Sequence, residues 1–173
     1  QHFTLVRPNK YLVRGNIVHR AFEQMVKTPT SGDSIADGLE KAFFQQARDL
    51  ALLNHTKESM WGEVCRPYTG LKRWLEREGP PQTGNTETFV LAPQLGLKGK
   101  IDVLWCRDGH PSVVCELKTG RSQGPSPKPG HRLQIGAYAL MLIARMQGQI
   151  DELPYALLLY AGTRPLSHSL NIN

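Results

Sequence analysis

Glu116 and Lys118 stand two residues apart at the end of the apolar run in "VVCELKTGR" (113–121). Val113, Val114 and Cys115 read as a buried β-strand, bounded by the turn-like "DGHP" (108–111) and by Gly120. Side chains alternate across a strand, so Glu116 and Lys118 project to one side and Leu117 projects with Cys115 to the other. A second acid, Asp102, lies between Ile101 and Val103 in "GKIDV", where a charged residue needs a partner. A hairpin over "RDGHP" (107–111) would bring Asp102 and Glu116 together on one face. Two carboxylates so placed repel unless a cation sits between them. Hard oxygen ligands of this kind suit Mg²⁺ or Mn²⁺. Lys118 beside such an ion could position or deprotonate a water, or counter charge on a phosphate. The plainer alternative is a salt-bridged Asp/Glu/Lys cluster at a sheet edge.

Two further sets of residues could join this chemistry. Gln134 and Tyr138 in "LQIGAY" are four residues apart and share a face of an expected helix. Their amide and phenol could bind a phosphate oxygen or orient Lys118, or simply form a helix surface. His19 in "GNIVHRAFE" is either a half-buried helix histidine or a third metal ligand beside Asp102 and Glu116.

The elements that must position these groups are legible in the periodicity. Apolar residues at 17, 18, 21, 22, 25 and 26 predict a helix over 16–27 with Asn16 as its cap. Asp33 is placed to cap a second helix in "SIADGLEKAFFQQARDLALL", and a third spans about 58–78, interrupted or kinked near Pro67. After "GPPQTGN" (79–85) the character becomes extended, with strands at 86–92, 96–106 and 112–118. The Pro- and Gly-rich stretch 122–130 reads as a mobile loop, 131–146 as a helix and 154–162 as another buried strand, with one or two strands closing the order. Helices, a three-strand meander, a helix and further strands predict an α/β or α+β domain with helices against a mixed sheet.

The chain has 173 residues, 40% of them hydrophobic, enough for one domain with its own core. No apolar run approaches the roughly 20 residues that cross a bilayer, and no secretory signal opens the chain. A membrane partner is therefore not expected. The chain begins without Met and reads as a piece of a longer protein. Its net charge of +6 suits a polyanion partner, with the basic residues spread through "RPNKYLVR", "KRWLER", "LKGK", "KTGR" and "PKPGHR" rather than gathered in a tail. Three cysteines, Cys65, Cys106 and Cys115, match no zinc spacing and read as reduced core thiols of an intracellular protein.

Taken in order, "GNIVH" (15–19), "GKID" (99–102), "ELK" (116–118) and "QIGAY" (134–138) resemble the motifs of the RecB-like PD-(D/E)xK nucleases. The longer "GLKGKIDV", "ELKTG", "HRLQ" and "LLLY" look most like the nuclease domain of the eukaryotic replication helicase/nuclease that trims 5′ flaps, with CRISPR-adaptation exonucleases as a second match. The resemblance runs from about Gly15 to Tyr160. It implies a restriction-endonuclease-like core in one nuclease domain over 1–173, with a helical part at about 1–85 and the catalytic sheet and helix at about 86–173. Activity would be metal-dependent cleavage of DNA, on single-stranded ends or flaps, in the nucleus of a eukaryote or the cytoplasm of a prokaryote. A helicase domain in the same polypeptide is a further implied partner.

Carried over by position, the resemblance implies metal ligation by His19, Asp102, Glu116 and the Leu117 carbonyl. It makes Lys118 the catalytic lysine, with Gln134 and Tyr138 orienting it and contacting DNA. Glu87 aligns loosely with an acidic residue common in these enzymes. Lys98, Lys100, Arg121, Lys128 and Arg132 are candidates for phosphate tracking. Ile101 stands where the family usually has proline. Related domains also hold an iron–sulfur cluster, on one cysteine before the first motif and three near the C-terminus. This chain has no cysteine before Gly15 or after Cys115, so any cluster would use cysteines of a longer protein. The rival reading is a module that keeps the fold, binds DNA and does not cut; a stand-alone CRISPR-adaptation-type exonuclease is the narrower alternative.

Overall fold

The computed structural model describes residues 8–27, 35–80, 84–120, 126–146, 155–162 and 164–170. Four helices come first: α1 (Lys10–Lys27), α2 (Ile35–Gln45), α3 (Ala47–Leu52) and α4 (Lys57–Glu78). Strands β1 (Gly84–Ala92), β2 (Leu97–Arg107) and β3 (His110–Lys118) follow, then α5 (Pro129–Arg145), β4 (Tyr155–Tyr160) and β5 (Leu166–Leu170). The five strands form one sheet in the order β1-β2-β3-β4-β5. All neighbours are antiparallel except β3 and β4, which run parallel and are joined through α5. This is the mixed sheet with flanking helices that the order of elements predicts.

Periodicity explains the layers. On α1, Val13, Ile17, Ala21 and Phe22 form one apolar stripe, which packs with α2 and α4 against Val103, Trp105, Cys115, Leu117, Leu157 and Leu159. On α5, Ile135, Ala139 and Leu142 make the stripe that meets Val90, Ala92, Ile101, Leu104, Val114, Ala156 and Leu158 on the opposite face. Strands β3 and β4 are thus covered on both sides, which is why "VVC" and "ALLLY" read as continuous apolar runs. The hairpin between β2 and β3 turns on Asp108 and Gly109, both with positive φ (52° and 81°). Asp-Gly suits the two-residue turn whose twist matches the strands.

Several boundaries differ from the periodicity alone. The first helix starts six residues before 16, and its cap is Asn9, whose side chain accepts from the Leu12 N–H at 2.8 Å. Asn16 is therefore inside the helix, where its amide reaches Gln46. Gly15 does not end a loop there: it is buried against the residue that follows β3, where a Cβ would lie 3.0 Å from Thr119 Oγ1. The second predicted helix breaks at Gln46 into α2 and α3. Asp33 falls outside the described residues, as do 122–125 of the expected loop, while 129–130 belong to α5. Helix α4 continues through Pro67, and Thr56 caps it in a box with Ser59.

The sheet changes character at one place. Thr86 pairs with Val103 and Thr88 with Ile101, but Glu87 is skipped and adopts a φ of 53°. Ile101 packs under α5 whereas Val103 packs under α1, although residues two apart on a regular strand share a face. The strands therefore turn over at Asp102, the residue opposite Glu87. Beyond that point the tip of the β1–β2 hairpin stays against α5, with the Tyr138 ring lying on Gly99. A Cβ there would stand 2.6 Å from Tyr138 Cε1 and 3.2 Å from Met141 Cε. Gly99→Ala is expected to cost about 1–3 kcal/mol through this overpacking, a fall of ~2–12 °C in melting temperature. An unchanged melting temperature would contradict this packing of α5.

Candidate active site

The site lies in a fork. Pairing between β2 and β3 ends at Val103↔Cys115, so Asp102 and Glu116 face each other where the strands part. The Leu117 N–H, left without a ladder partner from β2, donates to Asp102 Oδ2 at 2.8 Å. In an extended strand a residue's N–H and C=O point to the same edge, so the Leu117 carbonyl is also directed into the fork.

The other groups reach this fork from three elements. Lys118 Nζ donates to Glu116 Oε1 at 2.6 Å and to Gln134 Oε1 at 2.7 Å. Gln134 Nε2 donates to the same Glu116 oxygen at 2.7 Å and lies 3.0 Å from the Tyr138 hydroxyl. The four-residue spacing on α5 thus makes one chain from Tyr138 through Gln134 to Lys118 and Glu116. From the opposite layer, α1 presents His19, with Nδ1 3.7 Å from Asp102 Oδ2. The structure therefore brings together His19, Asp102, Glu116, Leu117, Lys118, Gln134 and Tyr138.

The electrostatics mark a strained pair of acids. Burial pushes the Asp102 carboxyl up to about 6, against the pull of the Leu117 N–H and of Lys118. Burial and then the Asp102 charge raise the Glu116 carboxyl, with the Lys118 hydrogen bond opposing them. Burial lowers the His19 imidazole, keeping it neutral and able to donate a lone pair. Glu116 is 5% exposed, and its Oε2 is buried with no hydrogen-bond partner among the described residues. A buried acceptor left so costs about 1–3 kcal/mol. A purely structural ion pair would satisfy both oxygens.

Imidazole nitrogen, two carboxylates and a backbone carbonyl form a donor set for a hard divalent cation, and the unpaired Glu116 oxygen fits that use. Among the described residues, no three His, Cys, Asp or Glu side chains already converge at ligand distance. Lys118 and Gln134 instead hold the near oxygen of Glu116, so the acids stand apart, each on its own partners.

The remaining candidates are placed around the fork. Glu87 forms an ion pair with Lys100 and adds to the field that raises Asp102. Lys98, Lys128 and Arg132 are exposed, and none has an ion-pair partner among the described residues; Arg121 lies outside them. Glu23, which the motifs do not flag, is buried one turn after His19, pairs with Arg20 at 3.2 Å and acts on both His19 and Asp102. Its spacing of four from His19 in "HRAFE" is the signal that could have found it. Gly99, under the Tyr138 ring, carries no such signal. The three cysteines are free: Cys115 is buried, and Cys65 and Cys106 are half-buried.

A raised carboxyl has a definite linkage sign. The fold favours protonated Asp102, so the stability this group contributes is present below its unfolded value near 4 and lost as pH rises through about 6. In EDTA, Asp102→Asn keeps an acceptor for the Leu117 N–H and removes the charge. It should raise the melting temperature at pH 7.5 by ~2–4 °C, about 1 kcal/mol, and the gain should vanish near pH 4. A loss of stability at pH 7.5 would favour a structural ion pair.

Comparison with known proteins agrees with this fold. The sequence model of the PD-(D/E)XK nuclease superfamily matches residues 4–166. A CRISPR-associated exonuclease Cas4/endonuclease Cas1 fusion from Myxococcus xanthus (strain DK1622) is 37% identical over 78 residues, which is 43% of this chain. The match spans only 13% of that fusion's length. With the family's match running nearly end to end, over a mixed five-stranded sheet flanked by helices, this chain belongs to the PD-(D/E)XK nuclease superfamily.

Proposed function

We propose that this chain hydrolyses phosphodiester bonds of DNA with Mg²⁺ or Mn²⁺, acting on single-stranded ends or flaps. The observation that carries the reading is the unpaired, buried Glu116 Oε2, set in a fork with Asp102 and Lys118. Nucleases of this superfamily generally use divalent metals. His19, Asp102, Glu116 and the Leu117 carbonyl would hold the ion, which when bound polarises the phosphate and lowers the pKa of a water.

The chain's own groups supply the rest. Lys118 counters the charge that develops on the nucleophile and the phosphate. Gln134 fixes the Lys118 amine through its carbonyl oxygen, and Tyr138 fixes the Gln134 amide in turn. Lys118 and Gln134 share Glu116 Oε1, and with Glu116 serving as a ligand the Lys118 amine would be available to the substrate. Lys98, Lys100, Lys128 and Arg132 bind flanking phosphates, with Arg121 as a further candidate. Glu87 tunes the fork through Asp102 and Lys100.

The likeness to the Cas4/Cas1 fusion favours an exonuclease of the CRISPR-adaptation kind. The link to the eukaryotic replication helicase/nuclease rests on the stretches "GLKGKIDV", "ELKTG", "HRLQ" and "LLLY" alone. End-labelled single-stranded DNA tests the activity directly. Cleavage should appear with Mn²⁺, disappear in EDTA and fall at least ~100-fold in Lys118→Ala, with the melting temperature kept. Wild-type protein that binds DNA but never cuts it would support the non-cleaving module instead.

A further inference from the structure

The β1–β2 hairpin projects past the fork, and its two faces have different surroundings. One face sends Val90, Ala92 and Ile101 under α5. The other leaves Phe89 and Leu91 61% and 51% exposed. In the ladder Phe89 stands directly opposite Lys100, and Leu91 directly opposite Lys98. Directly opposed residues share a face with their Cβ atoms about 5 Å apart, so ring, aliphatic chain and two amines form one patch.

This patch adjoins the fork. Lys100 is two residues from Asp102 along β2, about 6–7 Å, and pairs with Glu87 opposite that acid. Lys100 also feels the charges of Arg20 and Glu23, which flank His19 on α1. An open apolar edge is normally blunted, because it invites association. Here each apolar side chain is matched with a lysine across the ladder. Cores of protein–protein interfaces are depleted of charge, so this alternation does not suit a protein partner. It suits a polyanion with exposed π-faces: bases stack on the ring while amines meet phosphates. A duplex hides those faces.

We propose that this open face is a platform for unpaired DNA, with Phe89 stacking a base and Lys98 and Lys100 holding the flanking phosphates as the strand enters the fork. It deepens the nuclease reading by assigning single-strand preference to a particular side chain, and it rests on that reading only for what happens to the strand next.

Anisotropy of a labelled oligothymidylate, and of the matching duplex, titrated with the whole chain in EDTA tests the platform. Phe89→Ala should weaken single-strand binding about 5- to 150-fold, the ~1–3 kcal/mol of one stacked base. Phe89→Leu should lose as much, whereas Phe89→Trp should bind well and be quenched on binding. Leu140→Ala, a similarly exposed side chain on α5, should bind as wild type. Duplex binding should not depend on Phe89. The platform is overturned if Ala or Leu at 89 binds the single strand normally, if the duplex loses equally, or if wild type ignores oligothymidylate. Cleavage with Mn²⁺ is scored separately: Phe89-dependent binding without cutting removes the nuclease reading and keeps the platform, and cutting with Phe89-independent binding does the reverse.

Discussion

Two carboxylates share a partly buried fork, and the surrounding structure is arranged around keeping them there. Neither Asp102 nor Glu116 would choose that environment: burial raises both, and the Asp102 charge raises Glu116 further. The fold tolerates them by giving each acid its own donors on one oxygen. The Leu117 N–H serves Asp102, and Lys118 with Gln134 serves one oxygen of Glu116. The second Glu116 oxygen is left over. That remainder is what distinguishes the cluster from a closed salt bridge and supports the proposed cation site.

The same constraint explains the shape of the sheet. If β2 stayed paired to β3 past Val103, the Leu117 N–H and carbonyl would be spent in the ladder. Because the strands part, both are free to serve the site. The turnover at Glu87 and Asp102 then lets Ile101 and the hairpin tip lie against α5 while Val103 and Trp105 lie in the α1 layer. Those two helices deliver Gln134 with Tyr138 from one side and His19 from the other. The hairpin tip consequently keeps one bare face beside the fork.

Much of this was legible in residue order because it depends on local rules. Alternation placed Glu116 with Lys118, Asp-Gly announced the hairpin, and a spacing of four put Gln134 and Tyr138 together. What was not legible depends on chain segments far apart. Asn16 after Gly15 looks like a helix start, yet Gly15 is there because Thr119 lies against the helix. Glu87 carries no glycine-like signal for its left-handed backbone, since the turnover is imposed by the packing of both layers. Gly99 reads as a weak strand residue until the Tyr138 ring is seen above it. The family resemblance gathered the site residues; the burial that gives them their chemistry came only with the fold.

Binding of Mn²⁺, followed by its electron paramagnetic resonance signal, tests whether the fork takes up a divalent cation. Wild-type chain at pH 7.5 should take up the ion and lose affinity as pH falls through about 6, where Asp102 gains a proton. Glu116→Gln should bind at least ~10-fold more weakly, by loss of a charged ligand. Equal Mn²⁺ binding by wild type and Glu116→Gln, or none by either, would contradict the account and return the fork to a structural ion pair.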